Sequence, residues 1–432
     1  MWPSLITCSN LLTLKNLYMA NLFYRLKRIA WLPVLVAGVL AACNKVDYLP
    51  VPLAVPGTAA GKTVAQVLAA TPGDSLYYRL VVRSGILTTN PATITDSSLR
   101  FTMFVPDNAA MKIFINAISG GAVPLAAPDA VFSGFISANI PVASAVGLVS
   151  YNIVPQSLTT ASFASTFPNL QYPTMLNPAP TLSALLRLTT FPSKRTGFAW
   201  INNVPITAAD NVTANNGVIH QVAAVVVPPS ASLWARISAD PDMTYYKAAV
   251  IRADSGTAVA PSTVGRLQGY LDNIGANFTA FVPTDSAMRA TLTGQITLAL
   301  IAQGVPPANA AATAAALAAS PAVFSNPALY AALPPRLVQG IVAYHILPTR
   351  AFTVNLPTTP TVFYTLIGGQ PYPGISVQAV FAGPVVSSAT VKGSGNANAS
   401  HVLLDPTPGT GKSDQNATNG VLHKIDQVLL PK

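Results

Sequence analysis

Apolar residues Val64, Leu68, Leu76, Leu80 and Val81 fall at helical spacing, broken once by Pro72. The same plan returns at Leu233 to Ile237, Pro241, then Tyr245, Ala249 and Val250. Each place predicts two helices around a proline break, with Asp74 or Ser75, and Asp242 or Thr244, as N-caps. Phe101–Pro106 and Phe278–Pro283 are short aromatic and β-branched runs stopped by Pro106 and Pro283, which reads as a strand. Asp107-Asn108 and Thr284-Asp285 then cap helices running through Met111 and Met288. Asn216-Gly217 and Asn419-Gly420 read as tight turns entering a last strand that alternates around His220 or His423 and ends at proline.

These paired segments form an internal duplication. Phe-Thr-Met-Phe-Val-Pro at 101 recurs as Phe-Thr-Ala-Phe-Val-Pro at 278, Tyr151-Asn152-Ile153-Val154-Pro155 as Tyr344-His345-Ile346-Leu347-Pro348, and Asn216-Gly-Val-Ile-His220 as Asn419-Gly-Val-Leu-His423. The spacing between copies grows along the chain, from about 169 to 177, 193 and 203, so order is kept and the second copy carries the insertions. Part of the extra length is the Ala-rich stretch Pro306–Ser320, expected as a helical insertion on the surface. Pro168–Pro180 and Asn396–Lys412 read as loops.

The first 43 residues read as an address. Arg25, Lys27 and Arg28 precede an apolar run from Ile29 to Leu40, too short to cross a bilayer comfortably, which ends in Leu40-Ala41-Ala42-Cys43. Cys43 resembles the lipidated cysteine of the bacterial lipobox, where diacylglycerol is attached. Met19 would begin a leader of ordinary length, making residues 1–18 an over-called start. Residues 44–60 are expected to be a tether, 61–229 the first domain and 231–432 the second.

Composition narrows the chemistry. Cys8 lies upstream of Cys43, so the chain after Cys43 has no cysteine for a disulfide or a thiolate metal site. Of the 24 Lys and Arg, four precede the cut; the remaining 20 against 14 Asp leave +6, and no Glu occurs anywhere. The cations are scattered, Lys194-Arg195 being the adjacent pair, so no stripe for nucleic acid is expected.

With those motifs in view, the Phe-Thr-x-Phe-Val-Pro-x-[Asn/Asp]-x-Ala-Met and Asn-Gly-Val-[Ile/Leu]-His boxes resemble the two signature boxes of fasciclin domains, and Tyr344-His345 resembles the Tyr-His motif between them. The resemblance implies an α+β fold: two tandem domains, each a β-sandwich-like wedge of mostly antiparallel strands with packed helices. It also implies extracellular adhesion or binding rather than catalysis. Together with the lipobox, the chain is similar to two-domain fasciclin lipoproteins of Bacteroidota-type bacteria. Tyr344, His345 and Tyr151 are the recognition candidates the motif implies, although Asn152 replaces the histidine in the first copy.

Four other patterns point elsewhere, and each is weak. Gly73-Asp74-Ser75-Leu76 reads like an esterase nucleophile block, making an envelope hydrolase using Ser75 the rival reading. No Asp-x-x-His follows near the C-terminus, and the second copy has no serine there. Gly409-Thr-Gly-Lys412-Ser413 has Pro406 where a phosphate-binding loop needs glycine. Four dispersed histidines do not make a zinc site, and His220 and His423 at equivalent positions point to a shared structural task. Asn211-Val-Thr213 and Asn277-Phe-Thr279 fit the glycosylation pattern, which means little in a bacterial lipoprotein. The expectation is a lipoprotein without cofactor or metal, on the outer membrane at the cell surface or periplasmic face. Its partners would be envelope or matrix polysaccharide, or another surface protein.

Overall fold

The computed structural model describes residues 61–89, 95–96, 99–165, 167, 169–195, 197–255, 266–367, 373–405 and 411–431. The expected leader, Cys43 and the tether lie outside the described residues. The first unit begins with helices α1 (Val64–Ala70) and α2 (Ser75–Ser84), separated by a 3₁₀ turn at Pro72–Asp74. Strand β1 (Phe101–Pro106) follows, then α3 (Asn108–Ile118), α4 (Asp129–Asn139), α5 (Val142–Tyr151) and the short β2 (Ile153–Val154). A hairpin of β3 (Pro192–Arg195) and β4 (Phe198–Ile201) leads into β5 (Val204–Ala214) and β6 (Gly217–Val222). The sheet order is β2-β1-β6-β5-β4-β3, with β1 and β6 parallel and the other pairs antiparallel.

The second unit repeats this plan with α6 (Leu233–Ala239), α7 (Thr244–Asp254) and β7 (Phe278–Pro283). Helices α8 (Asp285–Ala302), α9 (Pro307–Leu317) and α10 (Pro335–Tyr344) and strand β8 (Ile346–Leu347) come next. Strands β9 (Thr361–Phe363), β10 (Ile375–Ala382), β11 (Val385–Lys392) and β12 (Ser400–His401) form a separate four-stranded antiparallel sheet. Finally β13 (Gln415–Ala417) and β14 (Gly420–Ile425) complete a sheet ordered β8-β7-β14-β13, again with one parallel pair. The expected α+β architecture is what the chain adopts.

Register makes the duplication physical. Phe101 pairs with Gly217 and Phe104 with His220 across β1 and β6; Phe278 pairs with Gly420 and Phe281 with His423 across β7 and β14. Successive side chains of these strands point to opposite faces. Phe101, Met103 and Val105 therefore join the helices in one core, while Phe104 joins Tyr151, Val154 and Val222 in another. Phe278, Ala280 and Val282 against the helices, and Phe281 with Tyr344 and Ile425, repeat the division. Both strands are buried along their full length for that reason.

The insertions also take shape. α8 has 18 residues where α3 has 11, and α9 packs against it with Ala310, Ala314 and Ala318 fully buried. The Ala-rich insertion is thus helical, as its composition predicts, and its small side chains permit the close approach to α8.

Candidate functional site

The two signature boxes converge on one residue in each unit. The Thr102 hydroxyl accepts from Leu158 N at 2.7 Å and donates to the Gln156 carbonyl at 2.7 Å. His220 Nε2 donates to the Leu158 carbonyl at 2.8 Å, its ring stacked on Phe104 at 5.6 Å. In the second unit Thr279 accepts from Ala351 N at 2.8 Å, and His423 Nε2 donates to the Ala351 carbonyl at 2.8 Å, with Phe281 stacked at 5.5 Å. A carbonyl can only accept, so Nε2 carries the proton in both rings. In His423 the bare Nδ1 accepts from Asp414 N at 3.1 Å. The paired histidines hold the loop after β2 or β8 onto the sheet.

Asn216 and Asn419 are spent on a second clamp. Asn216 Oδ1 accepts from Val64 N at 2.8 Å, and Asn419 Oδ1 accepts from Leu233 N at 2.9 Å, capping the first helix of each unit. Thr63 and Ser232 accept from the third helical N–H, so each helix start has two of its free donors filled. The glycines after them do not sit at the turn centre with positive φ, as the Asn-Gly signal predicts. They open strands β6 and β14, where an added Cβ would lie 2.3 Å from the Phe101 oxygen or 2.6 Å from the Phe278 oxygen. Close approach of the parallel neighbour explains the glycine.

The expected N-caps of α2 and α7 are a correction. Neither Asp74 nor Met243, the residue at each cap position, makes a side-chain cap, because a turn runs straight into the helix. The cap comes from the other box: Asn108 Oδ1 accepts from Leu76 N at 3.0 Å and Asp285 Oδ1 from Tyr245 N at 2.9 Å. Asp107 and Thr284, directly after Pro106 and Pro283, cap α3 and α8 as predicted. Arg83 and Arg252 form a further repeated contact that sequence reading missed. Each donates through Nε to a loop carbonyl, Ile140 or Leu333, at 2.9 Å. Their matched position, six residues after Tyr77 and Tyr246, was the available signal.

All three recognition candidates are buried. Tyr344 is fully buried and donates to the Gly374 carbonyl at 2.9 Å. His345 donates through Nδ1 to the Ile341 carbonyl at 2.7 Å and accepts at Nε2 from Leu429 N at 2.9 Å. Burial pushes the His345 pKa down to about 4, against a smaller upward pull from the Ile341 bond. Asn152 makes the matching links in the first unit, donating to Leu148 and Val226 carbonyls at 2.8 and 2.9 Å. Tyr151 donates to the Thr189 carbonyl and accepts from Asn416 Nδ2 of the second unit at 3.1 Å. It belongs to the junction between the units.

That junction gathers most of the unusual chemistry. Arg195 Nε donates to the Val354 carbonyl at 3.1 Å, and a second nitrogen donates to the Leu356 carbonyl. Its guanidinium lies 4.3 Å from the Phe381 ring centre. Lys194 donates to the Thr160 and Ala161 carbonyls, so the adjacent basic pair is engaged internally. Arg350, 2 % exposed, donates to Asn277, Asn416 and the Thr418 carbonyl, and sits over Phe191. Burial pushes its pKa down to about 10, which leaves it a cation at neutral pH. Phe191, Trp200, Phe352, Val354 and Val421 form a joint core. A cavity of about 10 Å³ lined by Ser193, Arg195, Asn169 and Asn355 has room for a single water.

Catalytic arrangements are tested by the same geometry. Ser75 exchanges hydrogen bonds with Asn108 at 3.0 and 3.4 Å, and no bond from it to a histidine occurs among the described residues. His401 Nδ1 and the Ser400 hydroxyl bond separate oxygens of Asp426, so the serine faces the carboxylate and not the imidazole, and no relay forms. Among the described residues no group of three or more His, Cys, Asp or Glu could hold a metal ion.

Comparison with curated proteins gave no match. Among solved structures, the chain is similar to a FAS1 domain pair from the insect cell adhesion molecule Fasciclin I. Identity is 14 % and the TM-score 0.30, covering 83 % of this chain and 97 % of that one. Residues 76–228 match the family model of the fasciclin domain. The match to the fasciclin-domain model covers the first unit, and the same register, clamp and cap contacts recur in the second.

Proposed function

We propose that this protein is a non-catalytic adhesion or ligand-binding module of the cell envelope. In this reading residues 1–43 export it, a lipid on Cys43 anchors it to the outer membrane, and residues 44–60 hold the units clear of the bilayer. Adhesion and binding are the usual work of fasciclin domains. One observation carries the proposal: the side chains with chemical potential, including His220, His345, His423, Tyr151 and Tyr344, are buried and bonded internally. Contact with envelope polysaccharide or another surface protein then falls to exposed loops on a rigid frame.

Glycan-array and pull-down profiling of the mature protein tests this, with protease accessibility on intact cells reporting its orientation. Binding of a defined glycan or envelope protein is the expected result. Esterase activity abolished by Ser75→Ala would sink it in favour of the hydrolase. Cys43→Ala should move the protein from the membrane to the soluble fraction.

A further inference from the structure

The loop that follows β8 does two jobs at once. Its inner side is held by the His423 clamp on Ala351. Its outer side carries the junction, because Val354 and Leu356 supply carbonyls to Arg195, and Asn355 donates to Ser193 at 3.0 Å. Between the two stands Asp414. Its carboxylate accepts from Thr353 N at 2.7 Å and from the Thr353 hydroxyl at 2.6 Å, fixing the start of the 3₁₀ turn Thr353–Asn355. Its backbone N–H donates to His423 Nδ1, and its Oδ1 lies 3.8 Å from that nitrogen. Asp414 also holds φ at 52°, a left-handed conformation uncommon outside glycine.

We propose that His423 and Asp414 form an acid-sensitive latch that controls whether the Ala351–Leu356 loop keeps the two units docked. The bonding pattern works only with a neutral imidazole. A proton on Nδ1 would place one N–H against another at 3.1 Å, and that contact must open. The carboxylate 3.8 Å away is the acceptor ready to take the new N–H. Turning toward it releases Thr353, and the loop that receives Arg195 loses its inner support. Burial holds the imidazole pKa below its ordinary value while Asp414 pulls it back up, so the change falls on the acid side of neutrality.

Other charges surround the ring without replacing Asp414. Arg350, next to the clamped Ala351, is bonded to Asn277 and Asn416. The Lys412 carbonyl accepts from Lys424 N, and the Lys424 ammonium is paired with Asp240 and Asp242. Phe281, stacked on the ring, carries no charge.

Hydrogen–deuterium exchange of the intact protein from pH 7.5 to 5, corrected for intrinsic rates, tests the latch. Exchange at 351–356 should rise about tenfold while β7 stays protected, and small-angle scattering should show the units separating. Asp414→Asn keeps an acceptor for Thr353, tolerates the left-handed backbone and offers no charge to the imidazolium. It should flatten the response. His345→Asn should leave the response in place, because that ring clamps a different segment. Unchanged protection at 351–356 to pH 5, loss of β7 protection in step with it, or an identical response in Asp414→Asn would each overturn the proposal.

Discussion

The two units solve one packing problem with different side chains between α5 and the chain following β6, or α10 and the chain following β14. Asn152 donates twice, to Leu148 and Val226; His345 donates once, to Ile341, and accepts once, from Leu429 N. The geometry is shared but the protonation chemistry is not. An amide has no acid–base change in the accessible range, whereas the imidazole must stay neutral to accept from Leu429. The same contrast recurs where the last strand meets the turn before the second helix. Gln221 donates to Asp74 at 3.0 Å in the first unit, while Lys424 forms an ion pair with Asp240 at 2.9 Å in the second. Duplication has preserved the contacts and let their charge drift: at these two places the second unit carries an imidazole and an ammonium where the first carries two amides.

The largest effect should come from the glycines both units share. Gly217→Ala drives a Cβ to 2.3 Å from a backbone oxygen that cannot move alone, and should destabilise the first unit by about 3 kcal/mol. Gly420→Ala should cost somewhat less, because its Phe278 oxygen is at 2.6 Å and its other close neighbour is the flexible end of Leu233. Calorimetric melts of the two variants check the ranking. Equal, negligible shifts would show that the strands can spread.

Acid sensitivity comes next. Unfolded, the His345 ring takes its proton near 6.5; folded, at about 4. Between those values the unfolded chain binds the extra proton, so stability rises with pH. The contribution is complete above about pH 6.5, is lost as pH falls toward 4, and amounts to about 3 kcal/mol at most. Denaturant titrations from pH 7 to 4 should show this slope in the second unit, weakened in His345→Asn. A slope unchanged by that substitution would mean that another group governs acid unfolding.

Removing the caps supplied from a neighbouring helix should cost less. Asp285→Ala should lose about 2 kcal/mol and Asn108→Ala about 1, since the ionised cap makes the stronger bonds. Equilibrium unfolding of each variant gives the comparison. The smallest effect is expected at Lys424→Gln, about 1 kcal/mol, because the amide can still donate to the largely buried Asp240 as Gln221 does to Asp74.

Much of this was legible from residues alone. The helices around Pro72 and Pro241, the Phe-Thr-x-Phe-Val-Pro strands and the caps after Pro106 and Pro283 follow from local periodicity and stop signals. The caps on α2 and α7 are not legible locally, because their donors meet side chains 32 and 40 positions away. The motif makes Tyr151 a recognition candidate, while the fold sets its hydroxyl against Asn416, 265 positions away. No local pattern records such distances.

What the chain determined by itself is the repeat: order, period and the polar residues reserved for each clamp, because hydrophobic spacing and turn chemistry act over a few neighbours. Tertiary structure decided how Arg195, Arg350 and the longer β10–β11 hairpin are used. A guanidinium can leave water only where another segment supplies carbonyls and aromatic faces, and that meeting exists only once the two copies have folded and docked.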